Sequence, residues 1–327
     1  MGPTILVSGG AGYTGSMLVM ALLNKGYRVK VVDLMIYGRE ILPKHPLLEV
    51  YKMDIRDSKL VSLLFDVDVV FHLAGVSNDP GEGLEPEIGY QINVEAVESL
   101  VNMCNDMGVK KLFYPSSCSV YGNATEKIVT EESIVHPLTI YAECKARCEE
   151  IILKNRSNSL CCTILRPATV CGVSLRQRFD LLVNSIVKEA YFKHEINVSG
   201  PYRIRPGVNI LDLVDLYLKL IELPAHQING QIFNVAFENQ KIRDIACSIA
   251  TLVGEDVDIN IIKGEDKRSY QVSSKKLQKI IGFHPKKTTK DAVTDLLYAM
   301  TKGKFDDALT SSQYYNRKRQ PLYLTKY

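Results

Sequence analysis

Tyr141 and Lys145 stand one helical turn apart in the segment YAECK, and Ser117 lies 24 residues upstream of the tyrosine in SSCSVYG. On a helix, positions i and i+4 share a face, so the Lys145 ammonium can sit beside the Tyr141 phenol. A nearby cation favours phenolate, and a phenol that titrates near ~10 when free needs that help to act as a base at neutral pH. A hydroxyl such as Ser117 can then hold the group that gives up its proton. Taken alone, the spacing also fits a plain surface helix, and the opening of the chain decides between the two.

That opening reads TILVSGGAGYTGSMLVMALLNKGYRVKVVD: an apolar run from Ile5 to Val7, glycines, a helical pattern, and a second apolar run from Val29 to Val32. This is a β-α-β unit. Gly10, Gly12 and Gly15 fit the G-x-G-x-x-G dinucleotide fingerprint, while Gly9, Gly12 and Gly15 fit a looser spacing, so the glycines alone leave the cofactor family open. Both patterns need a tight turn and a helix N-terminus facing a pyrophosphate. Asp33 ends the second run, 18 residues after Gly15. An acid there accepts hydrogen bonds from the adenosine ribose and repels a 2′-phosphate, which favours NAD over NADP.

The elements that must position these groups are legible as strand-like runs near Ile5, Val29, Val50, Val69, Leu112, Cys162 and Ile232, with helical patterns between most of them. The expected fold is α/β, a doubly wound parallel sheet of the Rossmann kind. The alternation stops after Gly172, so residues 1–172 read as a dinucleotide-binding domain and residues 173–327 as mainly a smaller substrate lobe. The stretch from about Lys302 onward has no clear periodicity and reads as a loosely packed extension.

The 327 residues, 46% of them hydrophobic, can bury a sizeable core. A net charge of +3 leaves no nucleic-acid footprint, and Arg317, Lys318 and Arg319 read as a solvated tail. With no apolar run long enough to span a bilayer and no signal peptide, a cytoplasmic protein is expected. The cysteines fit that compartment: Cys161 and Cys162 are adjacent, Cys144 and Cys148 share a helix face, and no Cys-x-x-Cys pair with matching histidines points to a metal.

GGAGYTG, MDIRD from Met53, FHLAG from Phe71, INVEA from Ile92, SSCSVYG, YAECK, RPATVCG from Arg166, RPGVNILDL from Arg205 and IGFHP near the end fall in one order. In that order the chain resembles an extended short-chain dehydrogenase/reductase of the NAD-dependent epimerase/dehydratase type, acting on nucleotide-diphosphate sugars. The resemblance implies a catalytic set of Ser117, Tyr141 and Lys145. It places Gly9, Gly12, Tyr13, Thr14 and Gly15 at the cofactor phosphates and Asp33, Asp54 and Ile55 at adenosine. Leu73, Ala74, Gly75 and Pro167 would line the rest of the cofactor, with Tyr141 and Lys145 touching it too. Asn93 either joins that set or braces the structure beneath it. The resemblance also returns the chain to the sheet near residues 230–236, which makes the second lobe discontinuous.

On the substrate side, the resemblance puts Arg205 and Arg268 on the nucleotide diphosphate and Asn184 near the start of a helix framing the base. Arg176 or Arg178 could add charge there, arginine's planar fork being suited to a diphosphate. Thr169 replaces the Asn of many 4-epimerases, and Cys118 adjoins the catalytic serine. VSNDPGEG, from Val76 to Gly83 and including Ser77, succeeds a strand at the sheet edge where ligands bind.

The two residues after Ser117 narrow the chemistry. Sugar 4,6-dehydratases of this type carry an acidic pair at those positions, and the decarboxylases a Glu at the second; here the residues are Cys118 and Ser119. Epimerases acting at carbons 3 and 5 set a cysteine at the Ser119 position, so Cys118 is one residue out of step and, in an extended segment, faces the other way. A 4-epimerase needs none of these groups. Nucleotide-sugar 4-epimerisation with retained NAD is therefore the first expectation, a 4-dehydrogenase or 4-keto reductase of the same fold the second, and a non-catalytic NAD sensor or scaffold the third. The helices beginning near Asn93 and Tyr141 carry Val97, Leu100, Val101 and Ile151. The family pairs these helices in a homodimer, and burial against the sheet is the alternative.

Overall fold

The computed structural model describes residues 2–77, 86–122, 124, 126–254, 256–263 and 269–320. Seven parallel strands form the main sheet: β1 Thr4–Ser8, β2 Arg28–Asp33, β3 Leu48–Lys52, β4 Val69–His72, β5 Lys111–Pro115, β6 Cys161–Pro167 and β7 Ile232–Val235. Their spatial order is β7-β6-β5-β4-β1-β2-β3. Each was anticipated as a strand-like run; β1 and β4, buried along their whole length, have no solvent side to make polar, whereas the edge strand β3 exposes Glu49 and Lys52. β7 joins β6 in parallel register, Ile232 opposite Ile164, and so returns the chain to the sheet.

Alternate side chains of the central strands feed two cores. Val7, Phe71 and Phe113 face α1 (Tyr13–Asn24) and, through Leu216 and Leu220, the helix Ile210–Glu222. Leu6, Val70 and Leu112 face α2 (Ala96–Asp106) and α3 (Ile140–Asn155). Strand order reverses at β1, whose neighbours are β2 and β4, and a crevice opens there beyond the carboxyl ends.

The apolar residues of α2 and α3 are used inside the chain. Val97, Leu100, Val101 and Ile151 are 2%, 2%, 0% and 6% exposed, whereas Glu95, Glu98 and Asn102 of one helix region and Glu143, Arg147 and Glu150 of the other face outward. Burial against the sheet explains those apolar positions without a second subunit.

A third core gathers Phe179, Val187, Ile249, Leu296 and Met300, and it overturns the expectation of a loose C-terminal extension for the described residues of that stretch, which end at 320. Phe305, Ala308 and Tyr314 are 3%, 0% and 7% exposed, and the Phe305 and Tyr314 rings each stand 5.3 Å from that of Phe179. These anchors are irregularly spaced, so the segment shows no periodicity and still packs.

Candidate active site

The glycine loop is compact for steric reasons. Gly9 has φ +73°, a Cβ on it would stand 2.6 Å from the Ala74 nitrogen, and one on Gly15 would stand 2.1 Å from the Gly9 carbonyl oxygen. Only glycine permits that turn and brings α1 down onto it. Gly12 caps α1 without a side-chain bond, and the first turn carries no acid. The amide groups there suit an anion, as a cofactor diphosphate requires.

Asp33 ends β2 at the crevice. Its Oδ1 accepts from the Met35 amide at 2.8 Å and its Oδ2 from the Ala11 amide at 3.0 Å, which fixes the carboxylate and leaves each oxygen a further lone pair for a ribose hydroxyl. Burial raises its pKa, against the pull of those two amides and of Arg176. Asp54 is held by the Arg56 guanidinium, with Nη2 at 2.6 Å from Oδ2. Burial alone would raise the Asp54 pKa, but its hydrogen bonds to Arg56 and the charge of that residue hold it down.

A cavity of about 490 Å³ is lined by these groups together with Thr14, Ile55, Leu73, Ala74, Gly75 and Pro167. Ser117, Tyr141 and Lys145 line its other part, with Thr169 and Arg205 on the lip formed by the strands Thr169–Cys171 and Ile204–Asn209. Thr139 starts α3 by accepting from the Ala142 amide at 3.2 Å, which sets Tyr141 in the first turn. The Lys145 Nζ donates to the Pro115 carbonyl at 2.8 Å and lies 4.5 Å from the centre of the Tyr114 ring and 5.7 Å from that of Tyr141. Loss of water around that ammonium pushes its pKa down to about 8, against the upward pull of neighbours that include Glu149. Ser117 caps a short turn, its Oγ accepting from the Ser119 amide at 3.1 Å while its own proton stays available.

Several expected residues sit differently. Cys118 reaches the wall, but its thiol donates to the Arg166 carbonyl at 3.0 Å, and burial holds its pKa far up. The Tyr13 phenol is likewise spent inside, donating to the Gly172 carbonyl at 2.8 Å and accepting from Asn184 at 3.1 Å. Asn184 is 0% exposed and braces that junction, its Oδ1 taking the Gly172 amide, so it faces no ligand. Asn93 also proves to be a brace: its amide bonds both the nitrogen and the oxygen of Val76, at 2.8 and 3.1 Å.

Arg178 lines the cavity but forks onto Asp180 at 2.8 and 3.1 Å and touches Ser77 at 3.2 Å. Arg176 lies over the Tyr37 ring, 3.5 Å from its centroid. Its charge is felt by Asp33, which puts it toward the Asp33 end of the cavity. Arg268 and most of VSNDPGEG lie outside the described residues. Tyr37, Asn316 and Gln320, which no motif marked, line the same cavity, and so does Arg317; with Arg319 donating to the Ile36 carbonyl at 2.8 Å, the cluster read as a solvated tail is partly engaged with the fold.

Comparison with known proteins accords with this geometry. The model of the NAD dependent epimerase/dehydratase family matches residues 5–236. A UDP-glucose 4-epimerase of Lactobacillus helveticus is 27% identical over 314 residues, spanning 88% of this chain and 94% of that protein. UDP-arabinose 4-epimerase 1 of Arabidopsis thaliana is 28% identical over 319 residues, spanning 87% and 76% respectively. Among solved structures, a UDP-glucuronic acid 4-epimerase from Bacillus cereus, in complex with UDP-glucuronic acid and NAD, aligns with a TM-score of 0.82 at 24% identity. That alignment covers 91% of this chain and 99% of the other. With the family match spanning well over half of its length, and the glycine loop and Asp33 lining one cleft, the chain belongs to the NAD dependent epimerase/dehydratase family and is an NAD-dependent enzyme.

Proposed function

We propose that the protein is a nucleotide-sugar 4-epimerase working through a transient 4-keto sugar. The observation that carries this reading is the acid content of the cleft. Among the described residues lining it, the carboxylates are Asp33 and Asp54, both at the adenosine end. Eliminating water from the sugar needs a proton acceptor at carbon 5 and a donor at the departing hydroxyl. Ser119 and the inward-turned Cys118 supply neither. The 4-epimerase relatives act on different UDP-sugars at carbon 4, which supports the same position here.

Bound NAD supplies the reversible hydride acceptor that makes oxidation at carbon 4 possible. Tyr141 takes the proton of the 4-hydroxyl and later gives it back. The Lys145 ammonium favours the phenolate in the interval, and the Ser117 hydroxyl donates to the 4-oxygen and keeps it in line with Tyr141. Between the two transfers the keto sugar must turn its other face to the cofactor. Arg205, which lines the cavity, would hold a diphosphate through that rotation. Residues 1–172 with β7 then serve the cofactor, and the remainder chiefly the substrate.

Incubation with UDP-sugars in deuterated water tests the reading. The expected product is a 4-epimer with no deuterium at carbon 4 or 5 and no net NADH. Accumulated NADH with a keto sugar would establish a net oxidoreductase instead, and a 4-keto-6-deoxy product carrying deuterium would establish a dehydratase.

A further inference from the structure

The last described segment crosses the cofactor cleft. Asn316 is 5% exposed. Its Oδ1 accepts from the Tyr37 hydroxyl at 2.9 Å and from Arg176 Nη2 at 2.6 Å, and its Nδ2 donates to Ser77 Oγ at 2.7 Å. Its backbone amide donates to Asp180 Oδ2 at 3.0 Å. Nearby, Arg319 Nε donates to the Ile36 carbonyl at 2.8 Å.

The strand order gives these bonds their meaning. Tyr37 lies in the loop after β2 and Ser77 in the loop after β4, and the two strands flank β1 on opposite sides. A residue that bonds both loops therefore spans the carboxyl end of β1, directly above the glycine turn where the dinucleotide must lie. Asn316, Arg317 and Gln320 line the same cavity as Gly12 and Asp33, so the span closes over a hollow and not over packed side chains. The far end of the segment is fixed by Tyr314 in the third core, and Lys188 Nζ donates to the Tyr315 hydroxyl at 3.1 Å.

We propose that residues 312–320 are part of the cofactor site, a strap that closes the adenosine half of the cleft, with Asn316 as the positioning residue that latches it. The strap makes NAD a resident group. This rests on the epimerase reading, in which the cofactor ends each cycle as it began and has no need to leave. Release requires the strap to lift, and lifting it breaks the bonds of Asn316 to Tyr37, Arg176, Ser77 and Asp180 together. Arg176, stacked on Tyr37, keeps a cation against this wall and orients the ring that carries one of those bonds.

The test is the rate at which radiolabelled NAD leaves the full-length protein during a chase with excess unlabelled NAD. Wild type is compared with Asn316→Ala and Tyr37→Phe. Losing several neutral and charge-assisted bonds should speed release from Asn316→Ala by roughly tenfold or more, and losing one hydroxyl should speed it in Tyr37→Phe by roughly three- to fivefold. Release from both variants within about twofold of wild type overturns the strap. Should Asn316→Ala fail to fold, Tyr37→Phe alone decides, since it removes a single oxygen. No sugar enters this measurement, so an unchanged release rate refutes the strap and leaves the epimerase reading standing, whereas NADH accumulating from a UDP-sugar refutes that reading by itself.

Discussion

The bond from Lys145 Nζ to the Pro115 carbonyl oxygen, 2.8 Å long, ties α3 to the end of β5, from which the chain turns to present Ser117. The lysine thus has two tasks. It places a cation beside Tyr141, and it holds the serine turn at a fixed distance from the helix bearing the tyrosine. The first task is lost with any neutral replacement and both with an apolar one, so the geometry and electrostatics proposed for catalysis rest here on one side chain.

Tyr141→Phe should lower turnover at least about a hundredfold, the usual scale for removing a general base, while leaving the cofactor bound. The phenol's ring is kept, and the glycine loop and Asp33 are untouched. Turnover on UDP-sugars together with the NAD released on denaturation checks both halves, and undiminished turnover would remove Tyr141 from the mechanism.

The pH profile should carry the mark of Lys145. Its pKa, pushed down by burial from the ordinary lysine value of 10.5 to about 8, predicts that kcat/KM falls as pH rises through about 8 and the cation is lost. With Tyr141 one turn away, that limb belongs to the pair. Stability moves oppositely. Between about 8 and 10.5 the unfolded chain holds the lysine proton and the folded chain does not, so raising the pH through that window stabilises the fold. Denaturant midpoints of the wild type should therefore rise across it relative to those of Lys145→Met.

The parts legible in the sequence are those with local signatures. The central strands showed as apolar runs because burial on both faces removes the alternation that could confuse them, whereas the edge strand β3, with Glu49 and Lys52 exposed, showed only through the apolar residues around Val50. The glycine turn showed because backbone sterics restrict the residue type, and Asp33 because an acid ending the second apolar run stands out from it. The contacts that escaped notice depend on distance along the chain. Asn316 and Ser77 are 239 residues apart, and a polar asparagine in an aperiodic tail gives no sign of its partners. Arg178 lines the cavity as its charge suggested, but its pairing with a carboxylate two residues on, Asp180, was not anticipated. At Cys118 the expected extended segment is instead a turn that begins at Ser117, and it is this turn that sends the thiol to the Arg166 carbonyl.

Asp33→Ala should weaken NAD and narrow the preference for NAD over NADP. The carboxylate is fixed by two amides, so its removal takes away both the ribose acceptor and the charge that repels a 2′-phosphate. Dissociation constants for both cofactors give the ratio. Equal affinity of the unaltered protein for the two would contradict the assignment.

Beneath Ser117 lies a buried ionic support. Arg166 and Glu149, 3% and 4% exposed, form a forked pair at 2.9 and 2.6 Å, and the neighbouring Ser116 Oγ donates to the same carboxylate at 2.5 Å. Arg166 also donates to the Tyr121 hydroxyl at 2.8 Å, and that hydroxyl donates to Asn234 on β7 at 2.6 Å, so the network joins α3, β6, the serine turn and β7. Removing one member of a buried pair leaves the other charge without water or counterion, at a cost of about 3–5 kcal/mol. Glu149→Gln should show that loss as a lower urea midpoint with an unchanged slope. Replacing both members, as in Glu149→Leu with Arg166→Met, should recover much of it, because no uncompensated charge remains. The recovered fold should still turn over poorly, since Ser116 has lost its carboxylate anchor and the turn presenting Ser117 is no longer tied to α3 through that network. A double variant with wild-type kcat would show that the network serves stability alone.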